Sequence, residues 1–264
     1  MIALTVADWP LSRRLLLEHR RQVDMLETTG FLAEQAAAQF AQLPLLLHNS
    51  VNHWSLGTPD ALGQQDVLPR TLHLLAATRA PWLSVHLGFS AADVASEHAT
   101  TARSPVIGRD ELFATICRNV QTLAESIPVP LILENLDYQP GGAYEWVCEP
   151  EFIRAVLEET GTGLLLDLAH ARVSAARLGL SIQVYLARLP LDRTWQIHIS
   201  GPRLRDGILV DAHEPLQTED YVLLTDVLST TKVHALTLEY WSDEAALLGQ
   251  VGRLREILQL ADTS

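Results

Sequence analysis

The sequence predicts an α/β protein of the (β/α)8 TIM-barrel class, folded as a single domain over residues 1–264. Three observations predict it. Eight short apolar runs recur along the chain, each followed by a helical pattern or a long connection. Most of the runs are continuously apolar rather than alternating, as expected of strands buried on both faces of a parallel sheet. The length, 264 residues, is usual for that fold. A doubly wound open sheet is the alternative arrangement. No linker rich in Pro, Gly or Ser, low-complexity segment or internal repeat divides the chain.

In order, the expected strands are 2–6, 23–27, 43–48, 82–87, 131–135, 163–167, 194–200 and 235–240. The first helix, 11–22, carries Leu and Arg at helical spacing, and the second, 28–42, is rich in Ala. A third, 110–126, opens on Asp110 as the expected N-cap and repeats apolar residues at i, i+3 and i+4. The helix 149–160 ends at Gly161, a residue type suited to a C-cap. Helices at 181–189, 219–228 and 243–260 complete the pattern. The connections 49–81 and 88–130 exceed ordinary loop lengths and are expected to carry extra helices or a lid. The stretch 201–220 reads as irregular.

Charge narrows the functional classes. Nineteen Lys and Arg stand against 32 Asp and Glu, a formal net charge of −13. That balance is unsuited to neutralising nucleic-acid phosphates or to binding anionic lipid. Cys117 and Cys148 lack metal-ligand spacing, cannot build a disulfide framework and fit a reducing compartment. The opening MIALTVADWPLSRR does not read as a signal peptide, and no apolar run approaches the roughly 18 residues that cross a bilayer. A cytoplasmic protein without nucleic-acid or membrane partners is therefore expected. One number stands out: the chain has ten histidines, which the charge sum counts as zero.

In a (β/α)8 barrel the functional groups sit at the C-terminal ends of the strands. The third expected strand ends in His48, the fourth in His86, and the fifth carries Glu134 in LILENLDY. The sixth, GLLLDLAHA, presents Asp167 and, three residues on, His170. The seventh carries His198 and the eighth Glu239, with Asp211 and His213 between them in LVDAHEP. Isolated buried charge is costly, so groups that follow apolar runs should be paired or bind metal. Imidazole and carboxylate without thiolate suit Zn, Fe, Mn or Co. Nine such groups exceed the needs of one ion, which points to two or three ions sharing bridging carboxylates. Asp211 and His213 point the same way in extended backbone, and Asp167 and His170 can meet around one turn leaving a strand. Each motif alone is weak; the strength lies in several strand ends presenting the same residue types.

The remaining histidines, His19, His73, His98 and His234, stand in polar or helical contexts and read as surface or packing residues. His53 lies near the strand ends in NSVNHWSLG. Trp54 and Trp241 read as core or rim packing, and Arg203 and Arg205 either as contacts to an anionic substrate or as a solvated loop.

These motifs together resemble the multinuclear non-heme iron-dependent oxidases, a family with a barrel similar to xylose isomerase and endonuclease IV. The resemblance runs through VDMLE (23–27), LLLHNSVNHWSLG (45–57), SVHLGFS (84–90), LILENLDY (131–138), EPEF (149–152), TGTGLLLDLAHARVSA (160–175), QIHISG (196–201), DAHEPL (211–216) and LEYW (238–241). It implies two or three iron ions (Fe2+/Fe3+) held by His48, His86, Glu134, Asp167, His170, His198, Asp211, His213 and Glu239. It further implies dioxygen as co-substrate and a cysteine of a ribosomally made precursor peptide as the reacting group. Members of the family often need a partner protein that captures the peptide. Two departures are visible: Leu168-Ala169-His170 replaces a frequent Asn pair, and Asn49 stands where Gly is frequent.

Three other functions fit parts of the pattern. A divalent-metal sugar isomerase or epimerase would need one or two ions and commonly a Lys or His for proton work, and Lys232 is the single lysine. A three-zinc DNA-repair endonuclease conflicts with the charge. A non-catalytic metal-binding scaffold would bind iron without turnover.

Overall fold

The computed structural model describes residues 1–18, 22–49, 55–59, 61–63, 66–88, 94–95, 101–102, 107–138 and 144–261. His19, His53, Trp54 and His98 lie outside them. The chain opens with β1 (Ala3–Ala7), α1 (Pro10–Glu18), β2 (Met25–Thr29), α2 (Ala33–Gln39) and β3 (Leu45–His48). A 3-10 turn at Ala61–Gly63 leads to α3 (Val67–Thr78) and β4 (Leu83–His86). The short antiparallel strands β5 (Val94–Ala95) and β6 (Thr101–Ala102) precede α4 (Arg109–Ser126) and β7 (Leu131–Glu134). Next come α5 (Tyr144–Val147), α6 (Pro150–Thr160), β8 (Gly163–Asp167), α7 (Leu168–Arg177) and α8 (Ile182–Arg188). After β9 (Thr194–Ile199) stand the hairpin strands β10 (Gly201–Arg205) and β11 (Ile208–Glu214), then α9 (Thr218–Leu228), β12 (Ala235–Leu238) and α10 (Glu244–Ala261).

The strands β1, β2, β3, β4, β7, β8, β9 and β12 close a barrel in that order, with β12 back against β1. Every pairing is parallel. The closed parallel barrel is the fold class expected from the sequence, and it excludes the open sheet. No helix among the described residues is long and apolar enough to cross a membrane. Cys117 and Cys148 are buried and unbonded to each other.

Strand alternation positions the site. Successive side chains on a strand point to opposite faces. Leu45 and Leu47, Leu83 and Val85, Leu131 and Leu133, Leu164 and Leu166, Ile197 and Ile199, and Leu236 and Leu238 face outward into the main core under the helices. The residues between them face the barrel axis. There Leu46, Trp82, Ile132, Leu165 and Ala235 form a second buried cluster, with Met25 packed against it. This cluster plugs the lower barrel. Two residues further along each strand, on the same face, stand His48, Ser84, Glu134, Asp167, Thr237 and Glu27. An apolar layer thus supports a polar one.

Four local expectations need correction. The Ala-rich helix is α2 (Ala33–Gln39), shorter than 28–42, because Thr28 and Thr29 belong to β2; their β-branched side chains suit a strand. The first helix is described over Pro10–Glu18; residues 19–21 of its expected range lie outside the described residues, and Gln22 is not helical. The cap of α4 is Gly108, and Asp110 lies inside its first turn, where a carboxylate favours the helix dipole. The stretch 201–220 is ordered: β10 and β11 pair antiparallel and α9 follows. Their two-residue loop, Asp206-Gly207, has φ of +52° and +78°, the positive pair that tight hairpin turns require. Gly161 does close α6, at φ +68°. Helix α3 fills part of the long 49–81 connection as expected.

Candidate metal centre

All nine residues singled out from the sequence meet in one connected cluster at the C-terminal ends of the barrel strands. His48, His86, Glu134 and Asp167 are the last residues of β3, β4, β7 and β8. His198 lies near the end of β9, Glu239 follows β12, and Asp211 and His213 arrive on β11. Register sets neighbours: His86 pairs with Glu134, and Asp167 with His198.

Glu134 is the hub. Its Oε2 lies 3.2 Å from His48 Nε2 and 3.1 Å from His86 Nε2, and those nitrogens are 3.4 Å apart. Its Oε1 lies 3.4 Å from His198 Nδ1 and 3.5 Å from His170 Nδ1. Donor atoms about 2.1 Å from a common ion and about 90–110° apart lie about 3.0–3.4 Å from one another. The triangle His48, His86, Glu134 matches that spacing. A second grouping joins Glu134, Asp167 and His198, all buried, with Glu239 Oε1 3.4 Å from His198 Nδ1. A third joins Asp211 Oδ2 to His170 Nε2 at 3.5 Å and to His213 Nδ1 at 3.2 Å. Glu239 Oε2 lies 3.3 Å from His213 Nε2, so Glu239 spans the second and third groupings.

Glu134 Oε2, Asp167 Oδ2 and His198 Nδ1 are buried without a hydrogen-bond partner. Orphaned buried polar atoms are costly, and here three of them face into one cluster. Cations in the first and second groupings would satisfy all three, so the donor set fits a metal.

Neighbouring residues hold the rings. Ser84 Oγ donates to Leu47 O and therefore accepts from His48 Nδ1 at 2.9 Å, leaving the Nε2 lone pair toward Glu134. His170 Nδ1 donates to Asn135 O at 2.9 Å, leaving Nε2 toward Asp211. Ser200 Oγ donates to Asp211 Oδ1 at 2.6 Å. Asn49 Nδ2 lies 2.6 Å from His48 Nε2, so in the metal-free chain this amide donates to the lone pair that an ion would take, while Asn49 Oδ1 accepts from His86 N at 3.1 Å. Asn49 has φ +46°, a left-handed conformation that Gly adopts freely and Asn tolerates. His213 is also left-handed, at φ +48°, which costs energy for a non-glycine residue and is typical of functional positions.

The charges are strongly coupled to burial. Burial opposes ionisation of Glu134, but the imidazoles of His48 and His86 outweigh it and hold the carboxyl well below its ordinary range. Burial likewise raises Asp211, yet His170 and His213 carry it down to about 2. Burial dominates at Asp167 and pushes it up to about 7. His170 and His198 are driven well above the usual imidazole value: burial lowers them, but facing carboxylates, Asp167 and Glu27 foremost, more than compensate.

Glu27 is the buried acid that inspection of the strand ends missed. It lies on β2, and both oxygens contact His198 Nε2, at 3.0 and 3.1 Å. The signal was present in VDMLE, where a carboxylate follows an apolar residue in the same inward register as Glu134. Of the residues set aside, His73 pairs with Glu34 on the surface, and His234 packs against Trp82 and Trp195. Trp241 stacks on His213 with ring centroids 4.4 Å apart, and Trp9 covers Trp241 at 4.5 Å. Arg203 is tied to the backbone carbonyls of Pro202 and Pro215, whereas Arg205 is exposed.

Solved structures share the fold. The 3-keto-D-glucoside 4-epimerase YcjR from E. coli is 12% identical, covering 98% of this chain and 100% of that one, with a TM-score of 0.62. Endonuclease IV from Thermus thermophilus is 15% identical, covering 97% and 99%, with a TM-score of 0.60. Among curated relatives, a UPF0276 protein of Paraburkholderia phytofirmans is 34% identical over 179 residues, 65% of this chain and 55% of the relative. The chain spans less than two thirds of the length of the curated relatives it matches. A family profile described as "RiPP precursor modification enzyme MbnB/TglH/ChrH" matches residues 23–259. With that match running from β2 into α10 and through every strand end of the cluster, the chain belongs to the MbnB/TglH/ChrH family of RiPP precursor modification enzymes.

Proposed function

We propose that this chain is a multinuclear iron-dependent oxidase that uses dioxygen to modify a cysteine of a ribosomally made precursor peptide, in the cytoplasm, with a peptide-recruiting partner protein. The observation that carries the reading is Glu134, whose two oxygens face separate histidine pairs. One carboxylate so placed supports a centre of more than one ion. His48, His86 and Glu134 would hold one ion; Glu134, Asp167, His198 and Glu239 a second; His170, Asp211 and His213 a third. Bound iron supplies redox capacity and an acidic site that deprotonates a thiol.

The protein's own groups prepare that chemistry. Glu134, Asp211 and Glu239 are ionised although buried, so they present charge without first losing a proton. Ser84 and Asn135 hold His48 and His170 in fixed tautomers. The apolar plug beneath excludes water from below. His86 and His213 are the more open groups, with side chains 35% and 24% exposed against 1% for His198. Substrate therefore approaches past His86 and the Trp9–Trp241 rim. The epimerase alternative lacks a lysine here: Lys232 is exposed and precedes β12, at the opposite end of the barrel.

The test is anaerobic purification followed by metal analysis and Mössbauer spectroscopy, then oxygen uptake with a cysteine-containing precursor peptide. Coupled irons and thiol-dependent uptake, both lost in His86→Ala and Asp211→Ala, are expected. A folded protein that holds no iron after anaerobic reconstitution overturns the reading, and aldose–ketose exchange with one bound Mn or Co replaces it.

A further inference from the structure

The groups beneath the cluster form a single chain of hydrogen bonds whose direction is fixed at its lower end. Trp82 stands in the apolar plug, and its indole Nε1 donates to Gln196 Oε1 at 2.8 Å. An indole N–H only donates. The Gln196 amide is therefore oriented with its oxygen down and its nitrogen up. Gln196 Nε2 donates to Glu27 Oε2 at 2.8 Å and to Thr237 Oγ1 at 3.0 Å, which uses both amide hydrogens. Thr237 Oγ1 in turn donates to Glu27 Oε2.

Glu27 thus receives hydrogen bonds from below and faces His198 above. Both carboxylate oxygens lie within 3.1 Å of His198 Nε2. An ionised carboxylate only accepts, so a lone pair on Nε2 would oppose two anionic oxygens. Gln196 Nε2 also approaches His198 Nε2 at 3.1 Å, but its hydrogens are already committed. The favourable arrangement places the proton of the neutral ring on Nε2. The lone pair is then on Nδ1, the atom that is buried and without a hydrogen-bond partner and that faces Glu134 Oε1 and Glu239 Oε1 at 3.4 Å.

We propose that Glu27, oriented by Gln196 and Trp82, is a positioning residue that fixes His198 as the Nε2-protonated tautomer and makes Nδ1 its metal-binding atom. A carboxylate behind a ligating imidazole sets the ring's tautomer and orientation and raises its basicity. Here the instruction passes upward from an indole in the hydrophobic plug, so a residue with no contact to the cluster takes part in setting its polarity. The inference rests on the metal-centre reading, but it requires neither iron nor oxygen chemistry.

The experiment uses the full chain labelled with 15N-histidine and loaded with Zn2+, a diamagnetic probe. Long-range 1H–15N correlation distinguishes protonated from metal-bound ring nitrogens, and His198→Gln identifies the His198 signals by their loss. The expected result is a protonated Nε2 and a metal-shifted Nδ1. Glu27→Gln is expected to weaken zinc binding by about 10–100-fold in chelator competition. Trp82→Phe releases Gln196 and is expected to give a smaller loss of the same sign, with broadened His198 ring signals. A purely structural role for Glu27 would lower the melting temperature and leave both zinc affinity and ring shifts unchanged. That result, or a metal-bound Nε2 in the wild-type protein, overturns the proposal. If Glu27→Gln does not fold, the wild-type spectrum and Trp82→Phe still decide it. Because zinc binding is the readout, failure here leaves the oxidase reading intact, and absent oxygen uptake leaves this proposal intact.

Discussion

Asp167 caps the helix that carries His170 and turns toward the same residue's ring. Its Oδ1 accepts from His170 N at 2.7 Å, while Oδ2, without a hydrogen-bond partner, lies 3.7 Å from His170 Nδ1. One carboxyl thus ends β8, starts α7 and enters the cluster. The two roles separate by substitution, because Asn caps helices about as well as Asp. Asp167→Asn should leave the metal-free protein as stable as the wild type or more so near pH 8, since it removes a carboxyl that burial disfavours in its charged form. Its metal content should fall. Asp167→Ala should lose metal and also about 1 kcal/mol from the missing cap. Thermal melts of both metal-free variants, with metal analysis beside them, check the separation. Equal melting temperatures for the two would sink it.

The hub position of Glu134 makes a prediction about counting. His86 contacts only the first grouping, whereas Glu134 contributes an oxygen to the first and another to the second. After anaerobic reconstitution and desalting, His86→Ala should lose roughly one ion per chain, since the first site falls below the three protein ligands typical of an open centre; Glu134→Gln should lose that ion and also weaken the second, which drops from four protein ligands to three. An identical loss in both variants would show that Glu134 does not bridge.

The protonation pattern predicts how pH acts on the metal-free protein. Burial lifts Asp167 to about 7, so the folded chain binds this proton more tightly than the unfolded one. Stability from that source falls as pH rises from about 4 to about 7. For His170, His198 and His213 burial lowers the value, but the surrounding carboxylates raise it overall. Their contribution is complete below the unfolded value of about 6.5 and is lost as pH rises through the folded values. Glu27, Glu134, Asp211 and Glu239 are shifted down, and their contribution is lost only on acidification below about pH 4.5. Between about pH 5.5 and about pH 8 the active signs agree, and the metal-free protein weakens. Metal binding runs the other way, because ligands must be deprotonated. The gap in melting temperature between loaded and metal-free protein should therefore widen across that range. A constant gap would contradict the assignment.

Much of this site was readable because strand geometry is periodic. Once apolar runs such as LPLLLH and LLLD are taken as barrel strands, the residue at each run's end falls at the functional face, and His48, His86, Glu134, Asp167, His198 and Glu239 follow; His170, Asp211 and His213 are marked instead by their spacing in D-x-x-H and D-x-H. Glu27 obeys the same rule on β2, but two threonines follow it, so it does not stand at the end of an apolar run. Helix α7 was hidden for a different reason. Asp167 is both strand end and N-cap, so no loop separates strand from helix and the D-x-x-H spacing reads as a turn. The β10–β11 hairpin was masked by Gly201 and Pro202, which break the strand pattern, although Asp206-Gly207 carried the turn signal. The network beneath His198 depends on which atom donates to which across β2, β9, β12 and Trp82, the residue before β4. Linear order holds no such information.

Gly201 shows how closely the hairpin is set against the cluster. A Cβ at this position would stand 2.3 Å from Glu214 O and 2.7 Å from Pro215 O. Both are backbone atoms, so no side-chain rotation relieves the clash. Glu214 pairs with Gly201 and directly follows His213. Pushing it away displaces His213 and Asp211 from His170, while the β3, β4 and β7 ends that carry His48, His86 and Glu134 do not depend on the hairpin. Gly201→Ala should therefore destabilise the fold by about 1–3 kcal/mol, the usual cost of overpacking. It should also selectively lose the ion held by the third grouping. Gly249→Ala is the control: the residue lies in α10 with open space around its Cβ position, where Ala should stabilise by up to about 1 kcal/mol. Metal content and thermal melts of the two variants provide the comparison. Full wild-type metal content in a destabilised Gly201→Ala protein would mean that the hairpin can shift without carrying Asp211 and His213 with it.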